Sequence, residues 1–185
     1  MNQMSDEELL QKIVIGDEFA FNEFFERYKN RAFSLLQGIC KNKFDAEEAL
    51  QDVFMKVYDY ASTFKGSSKV STWFYTITYR TGLSYVKSRK KFKAESLDNF
   101  VENNFKDTSE QTDFVKQELV LKLICELPEK QNIILTLFYL NELSVEEISK
   151  ILKLTESDIK TTLHRARLNM FEIIKSKNLL AELKW

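Results

Sequence analysis

Lys160, Thr161, His164 and Arg165 lie close together near the C-terminal end of a 185-residue chain. They bring an ammonium, a hydroxyl, an imidazole and a guanidinium to one short segment. An apolar stripe, Ile159, Leu163, Ala166, Met170 and Ile174, runs through the same segment at steps of 4, 3, 4 and 4. On a 3.6-residue wheel the opposite face carries Ser157, Thr161, Arg165 and Leu168, with Asp158 and His164 near it and Lys160 at a flank. Such a face can reach base edges and phosphates, and arginine is shaped for bidentate contact with guanine. In an isolated amphipathic helix this pattern is ordinarily a solvated face. A short capped helix directly before it shifts the reading toward DNA, because short helix, tight turn, longer basic helix is the helix-turn-helix pattern.

A second candidate is STWFYTITYRTGLSYVKSRKK, residues 71–91, which contains no acid. As a helix it divides into two faces. Phe74, Tyr75, Thr78, Gly82 and Tyr85 form one, with Tyr79, Leu83 and Val86 beside them, a wide core face in which Gly82 permits close helix approach. Trp73, Thr76, Arg80, Ser84, Lys87 and Lys91 form the other. That face joins a large aromatic to cations, which suits stacking on an unpaired base while holding its phosphates. Unstacking a base costs a few kcal/mol and aromatic stacking returns about 1–3 per base, so a strand can be held open without ATP.

Other chemistries find little support. His164 is the only histidine and has no partner suggesting a catalytic triad or metal cluster. Glu47, Glu48, Gln51 and Asp52 make one polar helix face, read as solvated or protein-binding rather than metal-ligating. Cys40 and Cys125 lack metal spacing and are expected to be reduced core residues. No catalytic residue, metal or cofactor is therefore assigned. The acidic start and the absence of a long apolar run predict a cytoplasmic protein with no membrane span.

The elements that must position these faces are helical. With 44% hydrophobic and 30% charged residues, four glycines and one proline, the chain reads as all-α. Ser5 with Glu8 predicts a capping box, Asp17 opens a long helix burying Phe21, Phe24, Phe25, Tyr28, Phe33, Leu35 and Leu36, and Asp45 is expected to cap the next. That next helix has the stripe Ala49, Val53 and Val57, with Phe54 beside it. Ser71 or Thr72 is expected to cap the helix of the aromatic stretch. Residues 1–91 carry 14 Lys/Arg against 12 Asp/Glu, residues 92–113 carry 2 against 6, and residues 114–185 carry 11 against 10. Two balanced blocks thus flank an acidic segment without sustained period, and the expected organisation is two small helical domains, 1–91 and 114–185, joined by a linker over 92–113. In the second block Pro128 starts an apolar helix through NIILTLFYL, and Ser144 with Glu147 forms another capping box.

Taken in order, GDEFAFNEFFERY, DAEEALQDVFMKVY, FKGSSKVSTWFYTITYR and LPEKQNIILTLFYLNELSVEEISKILKLTESDIKTTLHRAR resemble bacterial sigma factors of the extracytoplasmic-function class over nearly the whole chain. The resemblance implies a non-enzymatic factor that binds core RNA polymerase and directs it to promoter DNA. The first block would read and help open the minus-10 element, and the second would read the minus-35 element. It implies that Glu47, Glu48, Gln51, Asp52 and Phe54 dock on the clamp helices of the largest polymerase subunit. Apolar surface of PEKQNIILTLFYL would engage the flap tip of the other large subunit. Lys160, Thr161, His164 and Arg165 fall where the family contacts minus-35 DNA, and the loop 65–71, with Lys65, Ser67 and Ser68, where it takes a flipped base. An anti-sigma factor is an implied partner. Many relatives have Asn at Arg80, Asp at Ser84, Gly at Lys153 and Arg at Thr162, so the details of both contacts differ here. Two other readings stay open at this point: a regulator that binds a duplex operator without polymerase, and a helical anti-sigma or adaptor protein.

Overall fold

The computed structural model describes residues 4–95 and 112–179. Among these the regular structure is helical and no strand occurs, in keeping with the all-α expectation. The first helix, α1 (Asp6–Val14), starts on the predicted capping box: Glu8 N–H donates to Ser5 Oγ at 3.2 Å and Ser5 N–H to the Glu8 carboxylate at 2.8 Å. Asp17 caps α2 (Glu18–Cys40) by accepting from Ala20 N–H at 3.0 Å. Along α2, Ala20, Phe24, Tyr28, Ala32, Leu35, Leu36 and Ile39 are buried, while Phe21, Phe25 and Phe33 pack at the margin.

Two helix starts differ from expectation. α3 (Lys43–Tyr60) is capped by Asn42, whose Oδ1 accepts from Asp45 N–H at 3.0 Å. Asn42 offers the same kind of acceptor one turn earlier, so Asp45 falls inside the first turn, where its carboxylate meets Arg89 at 2.7 Å. α4 (Val70–Glu95) likewise begins ahead of Ser71 and Thr72, with Trp73 N–H bonded to Lys69 O at 3.1 Å. These two residues are thus in its first turn and free to bond elsewhere. Gly82 gives the predicted close approach: a Cβ there would stand 3.0 Å from both Leu36 and Ile39 of α2.

The remaining helices are α5 (Thr112–Cys125), α6 (Glu129–Leu135), α7 (Val145–Leu152) and α8 (Glu156–Ser176). The apolar run NIILTLFYL is not one regular helix. Its second half, Thr136–Leu140, is a π turn, with Asn141 N–H reaching back to Thr136 O at 3.0 Å. The predicted linker 92–113 overlaps the ends of α4 and α5; residues 96–111, with Phe100 and Phe105, lie outside the described residues.

Aromatic rings hold α2, α3 and α4 together. Phe24, Tyr28, Phe54, Phe74 and Tyr75 meet at centroid distances of 4.6 to 6.1 Å, mixing stacked, tilted and edge-on pairs. Burying each such side chain stabilises the fold by about 1.5–3 kcal/mol. This core does not stop at α4. One apolar cluster continues from Leu36 and Ile39 through Ile133, Ile134 and Leu137 to Ile148, Ile151, Ile159 and Leu163. A smaller one joins α5 to α8 through Leu123, Ile124, Leu127, Ala166, Met170 and Ile174. Cys40 and Cys125 are free and half-buried, and burial pushes the Cys40 thiol up to about 12.

Candidate nucleic-acid interface

The C-terminal face is built by α7, a tight turn and α8. Ser144 and Glu147 close the predicted capping box, at 3.2 Å from Glu147 N–H to Ser144 Oγ and 2.8 Å from Ser144 N–H to the Glu147 carboxylate. Lys153 ends α7 in the left-handed region, φ 55°, and Leu154 N–H returns to Ser149 O at 3.2 Å. Thr155 then caps α8, accepting from Asp158 N–H at 3.1 Å and donating its hydroxyl to the Asp158 carboxylate at 2.7 Å. That side-chain bond holds the Asp158 carboxyl below the usual range. The stripe Ile159, Leu163, Ala166, Met170 and Ile174 is buried throughout, which turns Lys160, Thr161, His164 and Arg165 to solvent on the other side. Lys160 leans on Glu156 at 3.3 Å. Arg167, two residues beyond Arg165, is drawn back: its guanidinium lies over Phe138 and Tyr139, and its Nε donates to the Tyr139 hydroxyl at 2.8 Å.

The α4 face is less open than a wheel suggests. Arg80, Lys87 and Lys91 are exposed, as are Lys65 and Ser67 in the preceding loop. Ser68 is half-buried, its hydroxyl donating to Lys69 O at 3.3 Å. Trp73 is half-buried with its ring edge-on to Phe64 at 5.7 Å. Thr76 spends its hydroxyl proton on Thr72 O at 2.8 Å. Arg89 pairs with Asp45 at 2.7 Å, and Arg80, Lys87, Lys90 and Lys91 are exposed along the same helix.

On α3, Glu47, Glu48, Gln51 and Asp52 are exposed together, and Glu48 accepts from the Tyr85 hydroxyl. Phe54 does not join them. It is 4% exposed, with Phe21 and Phe25 edge-on to it and Phe74 tilted against it, so its ring is core and cannot meet a partner. Being flanked by both α2 and α4 buries α3 on two sides, which the stripe Ala49, Val53 and Val57 alone does not convey. The apolar residues actually beside the acidic face are Phe44 and Met55, 73% and 66% exposed. Helical steps of four, three and four from Phe44 through Glu48 and Gln51 to Met55 carried that signal in the sequence.

A polar seam joins the two halves. α2 packs on α5, α6 and the π turn, and α4 packs on α7. Glu147 accepts from Lys69 at 3.1 Å and from the Thr72 hydroxyl at 3.3 Å. Burial opposes its ionisation, but bonds from Ser144 and Lys69 prevail and hold its carboxyl below the usual range. Arg31 pairs with Glu142 at 2.6 Å, and Lys41 donates to Cys125 O at 3.1 Å. Gly38 faces the fully buried Asn132, whose Nδ2 donates to Ile124 O at 2.8 Å. Between the halves is a cleft of about 370 Å³ lined by Arg31, Lys69, Tyr75, Asn141, Glu142 and Glu147 among others. Tyr75 Oη and both polar side-chain atoms of Asn141 are buried there without a protein partner.

Two helical units, the second a helix-turn-helix with a basic outer face, define a DNA-reading protein. The chain matches the models for Sigma-70 region 2 over residues 24–92 and Sigma-70, region 4 over residues 117–170, about two thirds of its length together. It is 29% identical over 149 residues to the ECF RNA polymerase sigma factor SigM of Bacillus subtilis, covering 79% of this chain and 90% of that one. With the ECF RNA polymerase sigma-E factor of Haemophilus influenzae it shares 28% over 186 residues, 95% and 96% of the two chains. The fold is similar to CnrH in complex with the cytosolic domain of CnrY, with TM-score 0.65, 15% identity and coverage of 92% and 97%. It is also similar to the sigma factor RpoE in complex with the anti-sigma factor NepR from Bartonella quintana, with TM-score 0.67, 21% identity and coverage of 84% and 96%. The chain belongs to the sigma-70 family, in its extracytoplasmic-function (ECF) class. It is a promoter-directing initiation factor that works with RNA polymerase.

Proposed function

We propose a division of labour between the halves, with residues 1–91 serving polymerase docking and the minus-10 element, residues 114–185 serving the minus-35 element, and 92–113 linking them. The observation that carries it is the α8 face: Lys160, Thr161, His164 and Arg165 exposed opposite a fully buried stripe, directly after the capped α7 and a tight turn. A helix so presented can enter a major groove, with Arg165 reaching guanine and Lys160 a phosphate. Lys65, Ser67 and Ser68 would receive an unpaired base, Trp73 and Thr76 would border it, and Arg80, Lys87 and Lys91 would track the strand's phosphates. Glu47, Glu48, Gln51 and Asp52 would meet a basic helix pair of the largest polymerase subunit, with Phe44 and Met55 adding apolar contact at its edges. Phe54 supports that helix from inside.

The chain acts by binding rather than catalysis, and in the cytoplasm, where polymerase and promoters are. Among the described residues no helix is long and apolar enough to cross a membrane. An anti-sigma protein is the expected inhibitor, by analogy with the Bartonella quintana complex. Affinity purification of the chain from cells tests the assignment. Recovery of the core polymerase subunits supports it, and recovery of an operator-binding complex without polymerase contradicts it.

A further inference from the structure

The cleft beside Tyr75 is built from parts that reading a promoter does not use. Tyr75 of α4 is 1% exposed and Asn141, directly after the π turn, is 3% exposed. The Tyr75 hydroxyl and both polar atoms of the Asn141 amide have no partner among the described residues. A buried polar group left unpaired costs about 1–3 kcal/mol, so these three atoms call for a partner from outside the chain. Burial holds the Tyr75 hydroxyl protonated against the charge of Arg31, which makes it a donor at neutral pH. The Asn141 amide offers both a donor and an acceptor. The backbone is strained where it presents that amide: Glu142 follows in the left-handed region at φ 57°, a conformation that costs a non-glycine residue about 1–2 kcal/mol, and its carboxylate meets Arg31 at 2.6 Å.

The charges around this cleft set the chemistry of what fits it. Arg27, Arg31 and Lys69 line it together with Asp6, Glu142 and Glu147, so the lining is neutral in sum but carries both signs. The signs are already paired, Arg27 with Asp6 at 2.5 Å, Arg31 with Glu142, and Lys69 with Glu147 at 3.1 Å. A net anion such as inorganic phosphate would meet carboxylates along with its cations, and a simple cation would meet the reverse. A molecule bearing one charge of each sign satisfies both. A volume of about 370 Å³ is near the lower end for ligand sites and suits a small metabolite rather than a nucleotide. We propose that this cleft binds a free amino acid, its carboxylate taken by the Tyr75 hydroxyl, Asn141 Nδ2 and Arg31, and its ammonium by Asn141 Oδ1 and the Glu142 carboxylate. Arg31 reaches Glu142 through Nη2, which leaves it further N–H donors. The site does not rest on the proposed division of labour between the halves.

Thermal unfolding of the full-length chain with each common L-amino acid added separately, followed by calorimetric titration of those that act, tests this. At least one should raise the melting temperature by about 2 °C or more at about 1 mM and titrate to a single site. Its N-acetyl and methyl-ester derivatives, each lacking one of the two charges, should bind about tenfold more weakly or worse. Tyr75→Phe removes a hydroxyl that has no bond among the described residues, so the fold should tolerate its loss while the amino acid binds about tenfold more weakly. Asn141→Asp keeps the shape of the side chain, exchanges its donor for an acceptor, and should weaken binding likewise. No saturable binding by any amino acid would overturn the proposal. So would binding that both variants leave unchanged, or an effect that glycerol or inorganic phosphate reproduces at the same concentration.

Discussion

Glu147, which closes the capping box at the start of α7, also accepts from Lys69 of the loop before α4 at 3.1 Å, so one carboxylate both starts a helix and fastens the two halves together. Its carboxyl is held below the usual range. For a depressed acid the stabilisation is present above the unfolded value and is lost as pH falls through the folded one. The Lys69 and Thr72 contacts should therefore hold at neutral pH and loosen only in acid below the ordinary glutamate range. Hydrogen exchange along α7, followed from pH 7 downward, should show protection lost in acid for the wild type. Glu147→Gln should already lack part of that protection at pH 7, and identical profiles would remove Glu147 from the seam.

Arg165→Ala should weaken transcription that depends on the minus-35 element by about fivefold or more, the effect of losing one bidentate base contact of about 1–3 kcal/mol. Binding of nonspecific duplex should change far less. Unchanged promoter selectivity would count against the role given to the α8 face.

Phe54 and Asp52 are neighbours on α3 with opposite surroundings, and their variants should separate stability from docking. Phe54→Ala should cost about 3–5 kcal/mol, because its ring is packed among Phe21, Phe25 and Phe74. Asp52→Lys should leave the melting temperature nearly unchanged and weaken core polymerase binding. Thermal unfolding alongside a polymerase binding assay checks both, and a destabilised Asp52→Lys would mean that the acidic face is structural.

Lys153 occupies φ 55°, a conformation that costs a non-glycine residue about 1–2 kcal/mol. Lys153→Gly removes that strain and adds unfolded-state entropy, for a net gain of about 0.5–1 kcal/mol. The melting temperature should rise by about 2–4 °C at the upper end of that gain. A lower melting temperature would show that the lysine side chain contributes more than its backbone costs.

What could be read from the sequence was local. The capping boxes at Ser5 and Ser144, the Asp17 cap, the Gly82 approach and the buried stripe of α8 depend on residues within a few positions of each other or on a single helical period. Competition between neighbouring acceptors was not legible, which is why α3 starts on Asn42 rather than Asp45. Neither was burial on two sides: Phe54 looks peripheral on the α3 stripe until α2 and α4 both pack against that helix. The Glu147 to Lys69 contact joins residues from different blocks, and no periodicity records such a pairing. The π turn at Thr136–Leu140 likewise leaves the apolar pattern of NIILTLFYL unaltered.

As a promoter-directing factor, this chain gives core RNA polymerase its promoter. Run-off transcription with purified core polymerase on a genomic promoter library, with and without the protein, measures that directly. Specific transcripts that appear only when the protein is added, and from a defined set of promoters, are the predicted result. Persistent absence of any protein-dependent start site across the library would contradict it.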